Sequence, residues 1–231
     1  MNRFGFLEDV EVRRVGSVEQ VAQALRSMIA EGRLAQGDRL PEVPMSRALK
    51  VSRNTLRDAI RELAAEGLVD IELHRGATVR VLSVDDVAEI YGVRRFLELK
   101  ALEAVPDADD AAGERVRDAL RACREMVDDH DYAGFVEHEL EFHAALVAHL
   151  GNSRFDRFFG QVLGELRLLF SELSSDSEPR TNKAILSTYQ RLYKAAEKGD
   201  VARAQEMLAA HLDAYEARLS ASVAAVEAPI G

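Results

Sequence analysis

Residues 41–81 constrain the fold more than any other part of the sequence, because they contain a segment with helix signals at both ends. At its start, the hydroxyl of Ser52 can accept a hydrogen bond from an unpaired backbone N–H. At its end, Gly67 can adopt the left-handed backbone conformation that closes many helices. Between them, apolar side chains recur at helical spacing at Leu56, Ala59, Ile60 and Leu63. The sequence therefore predicts a short helix that buries this face in a core.

A second face of the predicted helix carries Arg53, Arg57 and Arg61, each four residues from the next. Residues at this spacing lie on one side of a helix, so the row presents its guanidinium groups together. Guanidinium groups suit the guanine edges and phosphates of a DNA major groove. The alternative is a solvated helix face without a ligand.

The elements around this helix favour the DNA-binding interpretation. A first helix is predicted to begin at Ser17, which forms a capping-box pattern with Gln20. A second, short helix covers about residues 43–49, and two β-rich runs, 68–73 and 77–82, follow the arginine row. Three helices followed by a hairpin is the element order of a winged helix-turn-helix domain, which is the context that such an arginine row requires.

The turn between the two β-rich runs is the predicted wing. It contains Arg75 and Gly76, and the missing side chain of the glycine would let the backbone approach DNA. His74 precedes them, and both a phosphate contact and an exposed loop histidine without a ligand are open interpretations.

The charge distribution divides the chain into two parts. The net charge of −10 argues against a nucleic-acid partner for the chain as a whole, because phosphates repel an acidic surface. Residues 1–80, however, carry a net charge of +1, residues 81–231 carry −11, and residues 39–61 alone carry +4. This asymmetry predicts two domains with different partners, at residues 1–82 and 83–231.

The second domain is predicted to be entirely helical, because no β-rich run follows Ser83. Ser83 and Asp86 form a capping-box pattern that opens its first helix. Helices are predicted over about residues 83–106, 109–129, 132–150, 153–174, 180–198 and 200–224. The predicted fold is therefore mainly α, with an N-terminal winged helix-turn-helix and a C-terminal all-α bundle.

The remaining sequence features point to an intracellular protein. Cys123 is the only cysteine, which excludes an internal disulfide framework. No apolar run is long enough to span a membrane, and the first residues lack the apolar core of a signal peptide. The expected location is the cytoplasm, without a membrane partner, and the polar start over about residues 1–16 can be ordered or disordered.

Several polar side chains fall on apolar helix faces of the second domain. Glu139 and His143 lie one turn apart on such a face, and His211 lies on another. Together they could chelate one cation, but two core histidines that bond a carbonyl or a carboxylate are the alternative. Arg94 and Arg95 could bind a carboxylate ligand, and a salt bridge between helices is the alternative for them.

Two sets of motifs resemble a known family. The run VSRNTLRDAIRELAAEGLV followed by HRGATVRVLS resembles the GntR family of bacterial transcription regulators. The runs DDVAEIYGVRRFLELKALEAV, ELEFHAALVAHLGN and KGDVARAQEMLAAHL resemble the FCD ligand-binding domain of its FadR subgroup, so the resemblance covers about residues 17–220. It implies a homodimer that places two winged helices on a palindromic operator in double-stranded DNA, and an FCD-like domain that binds a small effector, usually a carboxylic acid or a related metabolite.

The expected function is therefore that of an effector-responsive transcription regulator, most often a repressor in this family. No catalytic residue is predicted, and the protein is not expected to be an enzyme. The pattern and the resemblance together predict these DNA-binding residues: Arg47, Ser52, Arg53, Asn54, Thr55, Arg57, Arg75 and Gly76.

The resemblance gives one argument for a bound metal and one argument against it. Many FCD domains bind a divalent metal of the zinc or nickel class through an Asp-x-x-x-His pair and two further histidines. In this sequence Glu139 stands at the aspartate position, while His143 and His211 match two of the histidines. The remaining histidine position holds Tyr189, whose neutral phenol is a poor ligand for such a metal.

Some family members lack the metal and bind larger, acyl-type effectors in the same cavity. A metal-free site of that kind, with Arg94, Arg95 and Tyr189 as effector-binding residues, is therefore the alternative to a metal site.

Two rival functions have less support in the sequence. A metal-dependent enzyme in the helical bundle would need a general base separate from the ligands, and one carboxylate with two histidines supplies none. A DNA-packaging protein without an effector would not require a second domain of this size.

Overall fold

The computed structural model describes residues 18–72, 75–173 and 179–227. The chain divides into two compact units, Met1–Val81 and Leu82–Gly231. The predicted domain boundary lies one residue later. The predictions for residues 1–16, Ser17 and His74 fall outside the described residues.

The first unit contains three helices and a two-stranded antiparallel sheet. In chain order these are α1 (Val18–Ala30), α2 (Glu42–Ala48), α3 (Arg53–Ala65), β1 (Val69–Glu72) and β2 (Gly76–Val79). The apolar face of α3 packs against α1, and the predicted residues Leu56, Ala59, Ile60 and Leu63 are all buried. The predicted winged helix-turn-helix architecture is confirmed.

Local signals fix both ends of α3 as predicted. The Ser52 hydroxyl accepts a hydrogen bond from the backbone N–H of Thr55 at 3.0 Å. Gly67 has a φ of +79°, which only glycine adopts without steric cost, and the chain then turns into the hairpin.

The hairpin is shorter than the sequence predicted. The register pairs Val69 with Val79 and Glu72 with Gly76. The predicted second run extended to residue 82, but β2 can continue only as far as its partner, and β1 begins at Val69. Gly76 therefore opens β2 rather than sitting in the turn, and its φ of +90° makes the backbone bend there.

The second unit is helical throughout its described residues, as predicted. Its helices are α4 (Val84–Ala104), α5 (Asp110–Asp129), α6 (Tyr132–Val147), α7 (Ser153–Leu173), α8 (Pro179–Glu197) and α9 (Val201–Glu227). Short 3-10 turns extend α4 and α6, at Val105–Asp107 and Ala148–Leu150.

Capping residues define the start of two of these helices. Ser83 and Asp86 form a reciprocal capping box at α4, with the Ser83 N–H donating to Asp86 at 2.7 Å and the Asp86 N–H donating to Ser83 at 3.2 Å. Before α9, Gly199 has a φ of +81°, and the Asp200 carboxylate accepts from the backbone N–H of Arg203 at 3.3 Å.

The packing of the bundle brings four of its helices around one buried region. Helix α4 packs on α9, α8 packs on α5 and α9, and α6 contacts α4, α5, α7 and α8. Polar side chains from α4, α6, α8 and α9 meet where these helices converge. Among the helices that the structure describes, none has both the length and the apolar character that a membrane span requires.

Candidate functional site

The first candidate site is the exposed face of α3. Arg53, Asn54 and Arg57 are exposed on this face, while its apolar side is buried. The helix therefore presents its first turns to a partner, as the amphipathic pattern predicted.

Acidic residues already pair with two of the arginines in the row. Arg57 donates to both carboxylate oxygens of Glu42 on α2, at 2.6 and 2.9 Å, and this hydrogen bonding lowers the pKa of Glu42. Arg61 pairs with Asp58 on α3 at 3.1 Å. DNA would compete with these carboxylates for the two guanidinium groups.

Three other cations lie beside the start of α3 without such partners. A groove of about 520 Å³ is lined by Val43, Ser46, Arg47, Lys50, Val51 and Arg53. Within the described parts of the chain, neither Arg47 nor Arg53 forms an ion pair. The groove thus places free positive charge where a phosphate could lie against the helix.

Ser52 and Thr55 have structural roles in addition to any contact with DNA. Their hydroxyl groups lie 2.8 Å apart, and the Ser52 oxygen also caps α3. At the wing, Arg75 is exposed and pairs with Glu72 at 3.0 Å, and a Cβ added to Gly76 would meet no atom of the described residues within 4 Å. The glycine leaves the backbone open to a close approach.

The second candidate site is a cluster of buried polar side chains in the helical unit, hereafter the polar cluster. It comprises Arg94, Glu98, Glu139, His143, Tyr189 and His211.

Helix α4 contributes an ion pair that is sealed from solvent. Arg94 donates from Nε to Glu98 at 2.8 Å, and the two side chains are 2% and 0% exposed. The Arg94 guanidinium also lies over the ring of Tyr91, with 4.9 Å between its Cζ and the ring centroid. A buried ion pair is stable only where further polar contacts satisfy both groups.

His143 on α6 links this ion pair to the rest of the cluster. Its Nδ1 lies 2.6 Å from the second oxygen of Glu98, and its Nε2 lies 3.1 Å from the Tyr189 hydroxyl. The Glu98 carboxylate therefore uses one oxygen for Arg94 and the other for His143.

The Tyr189 hydroxyl lies at the centre of the polar cluster. It donates to Oε1 of Glu139 at 2.5 Å and lies 2.7 Å from Nε2 of His211. With His143, this hydroxyl has three polar neighbours, which equals the one donor and two acceptor positions that a hydroxyl offers. The ring of Phe142 stacks on Tyr189 at a centroid distance of 4.4 Å and holds it in this position.

Burial and charge pairing shift the pKa values of the residues in the polar cluster in different directions. Burial alone would raise the pKa of Glu98, but the charges of Arg94 and His143 outweigh it and lower that pKa to about 2. Burial raises the pKa of Glu139, and it lowers the pKa of His211 to about 3. Burial and the nearby Glu139 raise the pKa of Tyr189 well above its ordinary value, so the phenol keeps its proton.

The donor set does not fit a divalent metal of the zinc or nickel class. The candidate ligand atoms of Glu139, His143 and His211 do lie within 4.8 Å of one another. Metal ligands of this type, however, lie about 2.0 to 2.2 Å from the ion, so an ion would compete for the space that the Tyr189 hydroxyl takes. A protonated phenol is also a poor fourth ligand.

The structure brings most of the predicted residues of the second site together and separates one from them. Tyr189 contacts Glu139, His143 and His211, and Arg94 joins them through Glu98. Arg95 instead pairs with Asp213 and Glu216 on α9. Arg95 therefore forms the interhelix salt bridge that was the alternative interpretation for these two arginines.

Sequence reasoning missed Glu98 and Tyr91, although a signal for both was present. Buried positions of α4 recur alternately every four and three residues, at Val87, Tyr91, Arg94, Glu98 and Ala101. Two charged residues on such a stripe, spaced as an i,i+4 ion pair, indicate a buried pair. Tyr91 also has a buried hydroxyl that finds no hydrogen-bond partner among the described residues.

Comparisons with known proteins agree on both units. Residues 17–79 match the family described as bacterial regulatory proteins, gntR family, and residues 89–214 match the FCD domain. A probable D-xylose utilization operon transcriptional repressor from Paenarthrobacter nicotinovorans is 29% identical over 217 residues, which are 94% of this chain and 95% of that protein.

Solved structures show the same two-part fold. A GntR transcriptional regulator from Rhodococcus sp. RHA1 is 32% identical, with a TM-score of 0.75, over 87% of this chain and 96% of that one. Escherichia coli McbR/YncC, at 19% identity, has a TM-score of 0.73 over the same share of each chain, and it supports the fold alone.

Proposed function

Because the chain belongs to the GntR family of bacterial regulatory proteins and carries an FCD domain, it is a DNA-binding transcription regulator and not an enzyme, and we propose that it represses transcription until a small carboxylate binds its helical unit. In this proposal a homodimer binds a palindromic operator in the cytoplasm. The relative from Paenarthrobacter nicotinovorans, which is named as a probable operon repressor, supports the direction of the response.

The DNA contacts are assigned to α3 and its surroundings. Arg53 and Arg57, with Asn54 and Thr55 between them, would contact bases and phosphates in the major groove. Arg47 would bind a phosphate in the groove beside α3. Ser52, at the start of α3, would contact the sugar-phosphate backbone of the DNA. Arg75 and Gly76 would contact the DNA from the wing.

One observation carries the effector proposal: the polar cluster places an arginine with spare donors inside the bundle. Arg94 donates from Nε to Glu98, and within the described residues no hydrogen bond joins its two terminal nitrogens to a carboxylate, so they are available to another acceptor. These nitrogens match the two oxygens of a carboxylate. Tyr91 lies one helical turn before Arg94 on α4, with its ring under the guanidinium, and its buried hydroxyl could bond the same ligand.

The burial of the cluster gives a reason why a ligand would change the conformation. The side chains of α4, α6, α8 and α9 are bonded to each other there, and Arg94 is only 2% exposed, so a carboxylate could reach Arg94 only if these helices shift and strain the bonds between them. A ligand shifts a conformational equilibrium only by its difference in affinity for the two states, and such displacement supplies that difference. Helix α4 carries Arg94 and Glu98 and follows directly on the first unit along the chain, so it is the element through which the change would reach α3.

A metal has no step in this mechanism, because the donor set does not fit one. Of the two alternatives that the sequence left open, a zinc or nickel site and a metal-free site, the proposal therefore takes the metal-free one, in which Tyr189 and Arg94 contact the effector directly.

The effector proposal can be tested with a panel of small carboxylates and their matching amides. We expect at least one carboxylate to raise the melting temperature of the full-length protein and to release it from a duplex enriched from a random DNA pool. The matching amide should do neither. If no carboxylate in a broad panel changes either quantity, the effector class is wrong.

A pair of variants tests the role of Arg94. The double variant Arg94→Gln/Glu98→Gln removes both buried charges together, which avoids leaving one unpaired. We expect it to lose the carboxylate response but to keep DNA binding. Arg95→Gln is the matched control, because its charge is already taken by α9, and it should respond like the wild type.

A further inference from the structure

The position of the Tyr189 hydroxyl coincides with the place where three potential metal ligands converge. Its oxygen lies 2.5 Å from Glu139, 2.7 Å from His211 and 3.1 Å from His143. These three residues are the ones that each offer a ligand atom within 4.8 Å of the others.

The length of the side chain explains this coincidence. A tyrosine reaches further from its Cα than a histidine does. At a position where a histidine would stop short and coordinate an ion, the phenol oxygen therefore arrives where the ion would be. The Phe142 ring stacks on Tyr189, which is 0% exposed, so the side chain has no open space to move into.

We infer that the Tyr189 hydroxyl takes the place of a divalent cation in this bundle and holds Glu139, His143 and His211 together by hydrogen bonds. The effector site of this chain then works without a metal. The inference rests on the proposed function only in treating the polar cluster as the effector site.

The inference predicts that a single substitution converts the cluster into a metal site. Tyr189→His shortens the side chain, vacates the central position and supplies a third imidazole. The resulting set of one carboxylate and three imidazoles is one that zinc and nickel accept. Adding His143→Ala to this variant removes a ligand and should abolish the gain.

The test compares the wild type, Tyr189→His and Tyr189→His/His143→Ala as full-length proteins. Each is stripped with a chelator, dialysed and titrated with Zn²⁺ or Ni²⁺ alone, and both bound metal and melting temperature are measured. We expect no stoichiometric binding by the wild type. Tyr189→His should bind one ion per chain and melt about 5 to 10 °C higher when free metal is about 100-fold above its Kd.

Surface histidines and the folding of the variant are controlled separately. His138 is partly exposed and pairs with Glu141, so His138→Ala reports weak surface binding of the metal and should leave every result unchanged. If Tyr189→His does not fold, metal titrations of the wild type and of His143→Ala still show whether the polar cluster of the wild type binds an ion.

Either of two results would overturn the inference. One is a wild type that binds one ion per chain and loses it in His143→Ala. The other is a folded Tyr189→His that binds no metal, because the three ligands would then not define a metal position. A metal-binding wild type would also remove the metal-free effector site from the proposed function, whereas DNA binding and the carboxylate response are tested separately and fail only if they are themselves absent.

Discussion

The two candidate sites use the same kinds of residue in opposite environments. On the first unit, Arg57 and Glu42 form an ion pair whose side chains are 45% and 36% exposed. In the helical unit, Arg94 and Glu98 form one whose side chains are 2% and 0% exposed. Water and salt screen the first pair, so a phosphate can replace its carboxylate at little cost, whereas the second pair is held by the protein around it.

This difference matches the tasks of the two units. A surface that binds DNA must exchange one anion for another, and exposed pairs allow this. A site that reports the presence of a ligand must change when the ligand enters, and buried bonds between helices make that change energetically significant.

The largest effect should come from breaking the buried pair. Glu98→Ala leaves the Arg94 guanidinium without its counterion and His143 without the acceptor for Nδ1. Removing one partner of a buried pair costs about 3 to 5 kcal/mol of unfolding free energy. Urea unfolding followed by circular dichroism measures this loss.

Glu103→Ala is the matched control for this prediction. Glu103 is on the same helix and pairs with Lys100 at 2.6 Å, but both side chains are well exposed. Its replacement should leave the unfolding midpoint close to that of the wild type. Equal losses in the two variants would show that burial does not distinguish the two kinds of pair.

The second largest effect concerns binding and not stability. Arg57→Ala removes a cation from the exposed face of α3 and should weaken operator binding by roughly 5- to 150-fold if the residue reads a base. Its unfolding curve should not change, because the side chain packs against nothing in the core. Gel shifts against an enriched duplex measure the affinity.

Arg121→Ala removes an arginine of similar exposure from α5 and serves as the control. It should bind DNA like the wild type. An unchanged affinity in Arg57→Ala would remove this residue from the DNA interface.

How much of each site the sequence predicts depends on how many helices build that site. The cationic face lies mostly on one helix, so the spacing of Arg53, Arg57 and Arg61 and the signals at Ser52 and Gly67 were enough to locate it. The element order of both units was likewise predictable from capping residues and apolar periodicity.

The polar cluster could be predicted only in part, because it is assembled from four helices. Periodicity placed Glu139, His143 and His211 on buried faces, but it could not say that Glu98 links Arg94 to His143. The family pattern marked Tyr189 as a departure. The Tyr189 hydroxyl lies between the three potential ligands because of the way the helices pack. The sequence of one helix alone does not determine that packing. The Glu42 partner of Arg57 was missed for the same reason, since it comes from α2.

A smaller effect is expected at the start of α3. Ser52→Ala removes the hydroxyl that caps the helix and should lower the unfolding free energy by about 1 kcal/mol. Ser52→Asn keeps a capping oxygen and should retain most of the stability, while any direct contact of the hydroxyl with DNA is lost in both variants. Thermal unfolding and gel shifts on the two variants separate the structural role from the binding role. Equal stability in the two would mean that the cap contributes little.

The smallest effect should come from releasing an exposed arginine. Glu42→Gln removes the charge that competes with DNA for Arg57, while an amide can still accept one hydrogen bond. Exposed ion pairs contribute at most about 1 kcal/mol, so DNA affinity should rise no more than about 5-fold. The gain should be largest for duplexes without an operator, because the carboxylate opposes phosphate contacts of any sequence. Glu42 would then limit non-specific binding.

Glu31→Gln, which removes the same charge from the partner of Arg33 in the turn after α1, controls for net charge. An equal rise in both variants would mean that the effect is one of overall charge, and that Arg57 is not restrained by its carboxylate.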